Sequence, residues 1–167
     1  MNRTGQRVET RSHPRLAFIR LAAHDEPQLA ELFGRLSVDP SARHFHPHPF
    51  DPANAQRICR HPGLDQYFAL NVDRALLGYG MLRGWDEGFA VPSLGIYLES
   101  ALRRTGASRA FMHYLHLAAR LAGAGRIRLK VHPENVPALR LYRSLGYQFA
   151  TQLQPDGQML GTHDLSA

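Results

Sequence analysis

The residues of this 167-residue chain best suited to chemistry lie in LESALRRTGASRAF, Leu98 to Phe111. An apolar strand pattern runs there into a basic turn that contains a glycine, and a helix pattern starts straight after it. Backbone N–H groups at a helix start have no partner inside the helix and point outward, so they form an anion site. Gly106 permits a positive φ and lets a ligand approach the backbone closely. Arg103 and Arg104 add positive charge beside it. Taken alone, one glycine with two arginines reads equally as an ordinary strand-to-helix loop. A second group is His44-Phe45-His46-Pro47-His48-Pro49-Phe50. Three alternate imidazoles could ligate a transition metal. The prolines stiffen the segment, however, and no nearby cysteine completes a zinc set, so no metal is expected.

The elements that must position these groups follow from periodicity. Leu16 to Leu21 is a short apolar run, read as a first strand. Glu26 to Leu36 spaces Leu29, Leu32, Phe33 and Leu36 as one helical face, with Pro27 near its start. Four prolines break the pattern between Val38 and Pro52, and Pro52 to Cys59 forms a second short helix. Tyr67 to Val72 and Leu76 to Leu82 read as a hairpin around Asp73-Arg74-Ala75. Phe89 to Leu98 is a further strand, in which Pro92 and Gly95 point to a bulge or a close backbone approach.

From Ser108 to Leu121 the apolar residues recur at helical spacing, and Gly123-Ala124-Gly125 ends that helix. His113 and His116 fall on its flank, where no special role is expected. Ile127, Leu129 and Val131 alternate with Arg126, Arg128 and Lys130, a half-exposed strand. Asn135 is a good N-cap and Pro137 sits harmlessly in the first turn of the next helix. Tyr147 to Leu153 and Gln158 to Asp164 close the chain as two strands around Pro155-Asp156-Gly157. This is an α/β chain, and its strand–helix–strand crossover predicts a parallel or mixed sheet. Residues 1–14 read as a flexible lead-in and 15–167 as one domain.

Asn135, Ala138, Leu141, Tyr142, Gly146 and Tyr147 spell N-x-x-A-x-x-L-Y-x-x-x-G-Y after an alternating strand. Together with the turn, this block resembles the GNAT superfamily of acyl-CoA-dependent N-acetyltransferases. That family carries an R/Q-x-x-G-x-G/A loop at the start of the helix after its fourth strand. Arg103-Arg104-Thr105-Gly106-Ala107-Ser108 stands at the matching place, departing only in Ser108, where the family prefers Gly or Ala. The resemblance covers Leu16 to Asp164 in element order, and its specific part is Leu94 to Phe149. It implies a single domain with a central, partly splayed sheet flanked by helices. It also implies that acetyl-CoA is bound, with its pyrophosphate on the amides of Arg104 to Ser108. The pantetheine arm would lie where Tyr97-Leu98 splays from Leu129-Val131, beside Asn135 and Tyr142. A strand edge with free polar groups can pair with such an amide-bearing arm as if it were another strand.

The reaction implied is direct acyl transfer to an amine, with CoA as product. Tyr142 matches the family tyrosine that faces the CoA sulfur. A phenol of pKa about 10 can donate to a thiolate whose conjugate acid has pKa near 8.5. A lysine-like amine of pKa about 10.4 is neutral only about one part in a thousand at pH 7.4, whereas an α-amine near 8 needs less help. Candidate bases are Glu99 just past the fourth strand, Glu87 and Asp86 in the preceding turn, and the histidines of the proline-rich loop. Glu99 stands with Tyr142 as the expected catalytic pair, and reads equally as a surface charge near the cofactor. The histidine loop resembles the family's acceptor-binding segment, and the family needs no metal. The acceptor expected is a small-molecule amine or a protein amine, and a homodimer is a family-level expectation.

Composition narrows the alternatives. Hydrophobic residues make up 44% and charged residues 20%, which suits a globular domain. No apolar run approaches the roughly 20 residues of a membrane span, and the first residues show no signal-peptide pattern. Cys59 is the only cysteine, which excludes a disulfide framework and favours a reducing, cytoplasmic setting. The net charge of +6 fits any anionic ligand, but no nucleic-acid motif accompanies it. One rival stays open, an acyl-CoA-binding regulatory module of the same fold without turnover.

Overall fold

The computed structural model describes residues 13–166, so nearly all of the expected lead-in over 1–14 lies outside the described residues. Seven strands form one mixed sheet in the order β1-β2-β3-β4-β5-β7-β6. They are β1 Leu16–Arg20, β2 Gln66–Val72, β3 Ala75–Arg83, β4 Ser93–Leu98, β5 Arg126–Val131, β6 Gln148–Phe149 and β7 Met159–Asp164. Four helices flank it: α1 Glu26–Ser37, α2 Pro52–Cys59, α3 Ala107–Leu121 and α4 Val136–Ser144. No helix among the described residues is long and apolar enough to cross a membrane.

Side-chain alternation divides the core into two layers, one on each face of the sheet. One layer joins Phe68, Leu82, Leu94 and Leu98 to Phe111, Met112 and Leu115 of α3 and to Ile127 and Leu129 of β5. The other packs Tyr67, Tyr79 and Tyr97 against Leu29, Leu32 and Phe33 of α1 and Ile58 of α2. Tyr97 and Leu98 are neighbours in β4 and so fall in opposite layers.

The β2–β3 hairpin turns at Asp73 and Arg74, whose φ values of 49° and 73° belong to a left-handed turn that suits the strand twist. Side chains compensate for the absence of glycine there. Arg15 N–H donates to Asp73 Oδ1 at 2.8 Å, and Arg74 N–H donates to Asn71 Oδ1 at 2.9 Å.

Two strand boundaries differ from the sequence pattern. β4 starts at Ser93 rather than Phe89, because Gly88 takes a φ of 84° and Pro92 has no N–H to give a ladder. The register of β4 against β3 is unbroken from Ser93 to Leu98, so there is no bulge. Gly95 marks a close approach instead, since a Cβ there would collide with Met81 Cε. β6 is only two residues long: past Phe149 the ladder ends, and Ala150 N–H makes a last bond to Leu160 O of β7 at 2.9 Å.

His116 is buried rather than flanking. Its Nε2 lies 2.8 Å from the Tyr147 hydroxyl and its ring stacks on His163 at 5.0 Å. Burial first, then repulsion from His163 and His113, pushes its pKa down to about 4. In the unfolded chain a histidine titrates near 6.5. The unfolded state therefore takes up the proton first, and stability is lost as pH falls from about 6.5 toward 4. Tm is expected to drop over that window, and His116→Gln to flatten the drop, as read by thermal denaturation at stepped pH.

Candidate active site

β4 and β5 run parallel but share one register pair, Ser93 with Arg128, reinforced by Arg128 N–H donating to Pro92 O at 3.0 Å. Beyond that root the strands part, leaving the facing backbone edges of Leu94 to Leu98 and Leu129 to Val131 without ladder partners. A cavity of about 760 Å³ occupies the opening. Gly95, Ile96, Val131, His132, Asn135 and Tyr142 contribute to its walls. Tyr97 and Leu98 do not: Leu98 packs in the α3 layer, and the Tyr97 hydroxyl donates to Asp39 Oδ2 at 2.7 Å in the α1 layer. Hydrogen bonds from Ser41 first, then that from Tyr97, hold Asp39 at a pKa of about 2, while burial raises the phenol of Tyr97.

Asn135 caps α4 by accepting from Ala138 N–H at 3.4 Å, which anchors the helix that carries Tyr142. Tyr142 is 8% exposed and its hydroxyl takes no hydrogen bond among the described residues. Burial pushes its pKa up to about 12, so the phenol is a neutral donor at physiological pH.

The turn before α3 lies past the C-terminal end of β4. Arg104 has φ 60° and Gly106 φ 89°, and that left-handed kink rotates the successive amides outward. Gly106 is the N-cap and no side chain caps the helix. The N–H groups of Arg104, Thr105, Gly106 and Ser108 find no hydrogen-bond partner among the described residues. Ala107 N–H reaches Thr105 Oγ1 at 3.3 Å, and the Thr105 hydroxyl donates to Leu102 O at 2.7 Å. Nothing lies within 4 Å of where a Gly106 Cβ would stand, so the turn is not plugged by its own side chains. Free amides, an open glycine and the N-terminus of a 15-residue helix fit a diphosphate. The cleft edges fit an amide-bearing arm. The Arg103 guanidinium turns away from this cradle and hydrogen-bonds Ser41 Oγ, 4.0 Å from Asp39.

The candidate bases separate clearly. Glu99 pairs with Arg35 Nε at 2.5 Å and lies outside the cavity walls. Asp86 is tied to the loop after α2, accepting from Leu64 N–H at 2.7 Å and lying 2.6 Å from His61. Glu87, in the same turn, lines the cavity.

His44 and His46 also line the cavity, but His48 is tucked among Phe33, Phe50 and Tyr79. Its Nδ1–H donates to Pro49 O at 2.9 Å, which leaves Nε2 to accept from the Tyr79 hydroxyl at 3.0 Å. His44 stacks on His132 at 4.4 Å, a neighbour the histidine pattern did not foretell. His44, His132 and Glu134 bring ligand atoms within 4.8 Å of one another. Ligands of a tetrahedral zinc stand nearer, about 3.3 Å apart, so an ion would have to draw these groups together.

The Acetyltransferase (GNAT) family matches residues 29–147, a span that holds the open turn, both splayed strands and Tyr142. This chain belongs to the GNAT acetyltransferase family. The acetyltransferase shares its fold with solved structures of low sequence identity. The GNAT domain of PAT from S. lividans is 16% identical over 88% of this chain and 89% of that one, with a TM-score of 0.74. YncA, a putative acetyltransferase from Salmonella typhimurium solved with its cofactor acetyl-CoA, is 17% identical over 90% and 94%, with a TM-score of 0.72. An acetyltransferase of the GNAT family from Streptococcus pneumoniae is 13% identical over 90% and 99%, with a TM-score of 0.71. A search of curated protein sequences gives no match. Acetyl-CoA is the cofactor of the family, and the open turn and split sheet of this acetyltransferase suit it.

Proposed function

We propose that this acetyltransferase acetylates a primary amine by direct attack on the thioester of acetyl-CoA, with Tyr142 as the acid for the departing sulfur. The observation that carries the reading is a buried phenol in the wall of the β4–β5 cleft whose hydroxyl has no partner among the described residues. Acetyl-CoA, when bound, supplies an activated acetyl group. In the exchange the acetyl C–S bond breaks and a C–N bond forms. The amine loses one proton to solvent, the sulfur gains one from the Tyr142 hydroxyl, and the phenolate is reprotonated from solvent, so the net transfer is from amine to thiol. Burial makes Tyr142 a weaker acid than free phenol, and the same desolvation makes a departing thiolate a stronger base, which offsets part of that penalty.

The outward amides of Arg104 to Ser108 would hold the diphosphate, with Arg104 supplying charge. Glu87 is the carboxylate best sited to attract an ammonium group, because it lines the cavity and has no cationic partner among the described residues. Glu87→Gln is expected to lower kcat/KM for the acceptor about tenfold and to leave the KM for acetyl-CoA unchanged, as measured by thiol release. Glu99, held by Arg35, is expected to affect turnover less than Glu87. The lone Cys59 is buried and its thiol is pushed up to about 12, which fits a packed side chain in a reducing, cytoplasmic setting.

The experiment that tests the assignment is thiol release with acetyl-CoA across a panel of amines, with CoA binding measured in parallel. Turnover of at least one amine supports the enzyme. CoA binding with no turnover across the panel supports a regulatory module instead.

A further inference from the structure

The acceptor side of the cavity is more basic than the reaction requires. Arg43, Arg83, Arg128 and Lys130 line it against two carboxylates, Glu87 and Asp156. Lys130 is matched, with its Nζ 2.7 Å from Asp156. Arg83 is matched only in part. It donates to Pro47 O at 3.2 Å, and Asp65 lies 4.0 Å from its Nε. That Nε is buried without a hydrogen bond. Asp65 Oδ1 accepts from Gly84 and Trp85 N–H at 2.8 and 2.9 Å, which leaves Oδ2 as the oxygen that faces Arg83.

Arg128 has no carboxylate within 4.0 Å among the described residues. Its Nε donates to Ser93 Oγ at 2.8 Å, and its guanidinium carbon lies 5.0 Å over the Phe89 ring. These two contacts fix the plane of the guanidinium and leave its terminal nitrogens without partners among the described residues. Arg43, also in the cavity wall, donates among the described residues only to His44 Nε2, at 3.0 Å. A guanidinium held in one plane on a cavity wall, with no partner for its terminal nitrogens among the described residues, is arranged to receive a planar oxyanion.

We propose that the acceptor is a small amine that itself carries a carboxylate or similar oxyanion, held by Arg128 with help from Arg83 and Arg43. The proposal rests on the transferase reading above and names its substrate class. The cofactor's phosphates do not account for these cations. Arg128 is level with Ser93, and the amide cradle begins beyond Leu98, about 16 Å along an extended strand. The cleft opens from the Arg128 level over about 10 Å to Ile96 and Val131. Oxyanion and amine must both fit that span, which suits a molecule of amino-acid size. A lysine side chain or protein N-terminus brings no oxyanion at a fixed short distance.

The test is thiol release with matched amines that differ only in the acidic group: L-phenylalanine against phenethylamine, and glycine and aminomethylphosphonate against methylamine. The acidic member of each pair is expected to show at least about tenfold higher kcat/KM. The carboxylate and phosphonate arms distinguish which oxyanion is preferred. Arg128→Gln is expected to raise the acceptor KM at least about tenfold while the KM for acetyl-CoA changes less than twofold. Arg43→Gln, on an exposed side chain, should shift the acceptor KM in the same direction and serves if the first variant does not fold. Preference for the neutral amines, turnover of protein amines alone, or an Arg128→Gln effect confined to acetyl-CoA would overturn the proposal and leave the transferase reading standing. Acetyl-CoA binding without turnover of any amine would sink both.

Discussion

Tyr142→Phe is expected to lower kcat by about 10²-fold or more and to leave acetyl-CoA affinity within about threefold of wild type. The size follows from what a positioned acid contributes to a proton-coupled step. The specificity follows from geometry. The substitution removes only a hydroxyl that takes no hydrogen bond among the described residues and keeps the ring that packs against Tyr147 at 5.7 Å. No native hydrogen bond is lost, so Tm should move by no more than about 2 °C. The pH profile adds a second check. With its pKa pushed up to about 12, Tyr142 stays protonated through the working range. Any alkaline decline of kcat below pH 10 must then come from another group and should persist in the variant. A variant with full kcat would remove Tyr142 from the chemistry.

Gly106→Ala is expected to weaken CoA binding about tenfold or more. At φ 89° an alanine is held in the left-handed region, which costs about 1–2 kcal/mol. Its Cβ would enter the space in front of the amides, where now nothing lies within 4 Å. The protein would keep its fold but lose close approach to the cradle. Gly123→Ala is the control. That glycine has φ 88° and equally open surroundings, but it follows the other end of α3. It should show a similar loss of stability and unchanged CoA affinity by calorimetry. Equal affinity for wild type and Gly106→Ala would mean that the turn does not carry the diphosphate.

Features governed by neighbours in the chain are legible in the sequence. The period of α3, the Asn135 cap, the hairpin at Asp73-Arg74 and the glycine turn all depend on side chains within a few residues of one another. So does the placement of Tyr142 on α4, one helical face from its cap. The single register pair between β4 and β5 was not legible, because it is set by packing across the whole sheet. The fates of the polar candidates were hidden for the same reason. Glu99 meets Arg35 across 64 residues, and His48 is drawn into an aromatic cluster that includes Tyr79, 31 residues away. Arg128 read simply as the exposed phase of an alternating strand. Only the divergence of β4 turns that face into a cavity wall. His132 carried no signal of its own, since its stacking on His44 spans the cleft.

The central claim is that the amides from Arg104 to Ser108 grip a diphosphate. Isothermal titration with CoA and with pantetheine, which has the same arm without the phosphates and adenosine, tests it most directly when read in wild type and in Gly106→Ala. The account predicts CoA binding at least about 10²-fold tighter, with most of that advantage lost in Gly106→Ala. Equal affinities for the two compounds would contradict it.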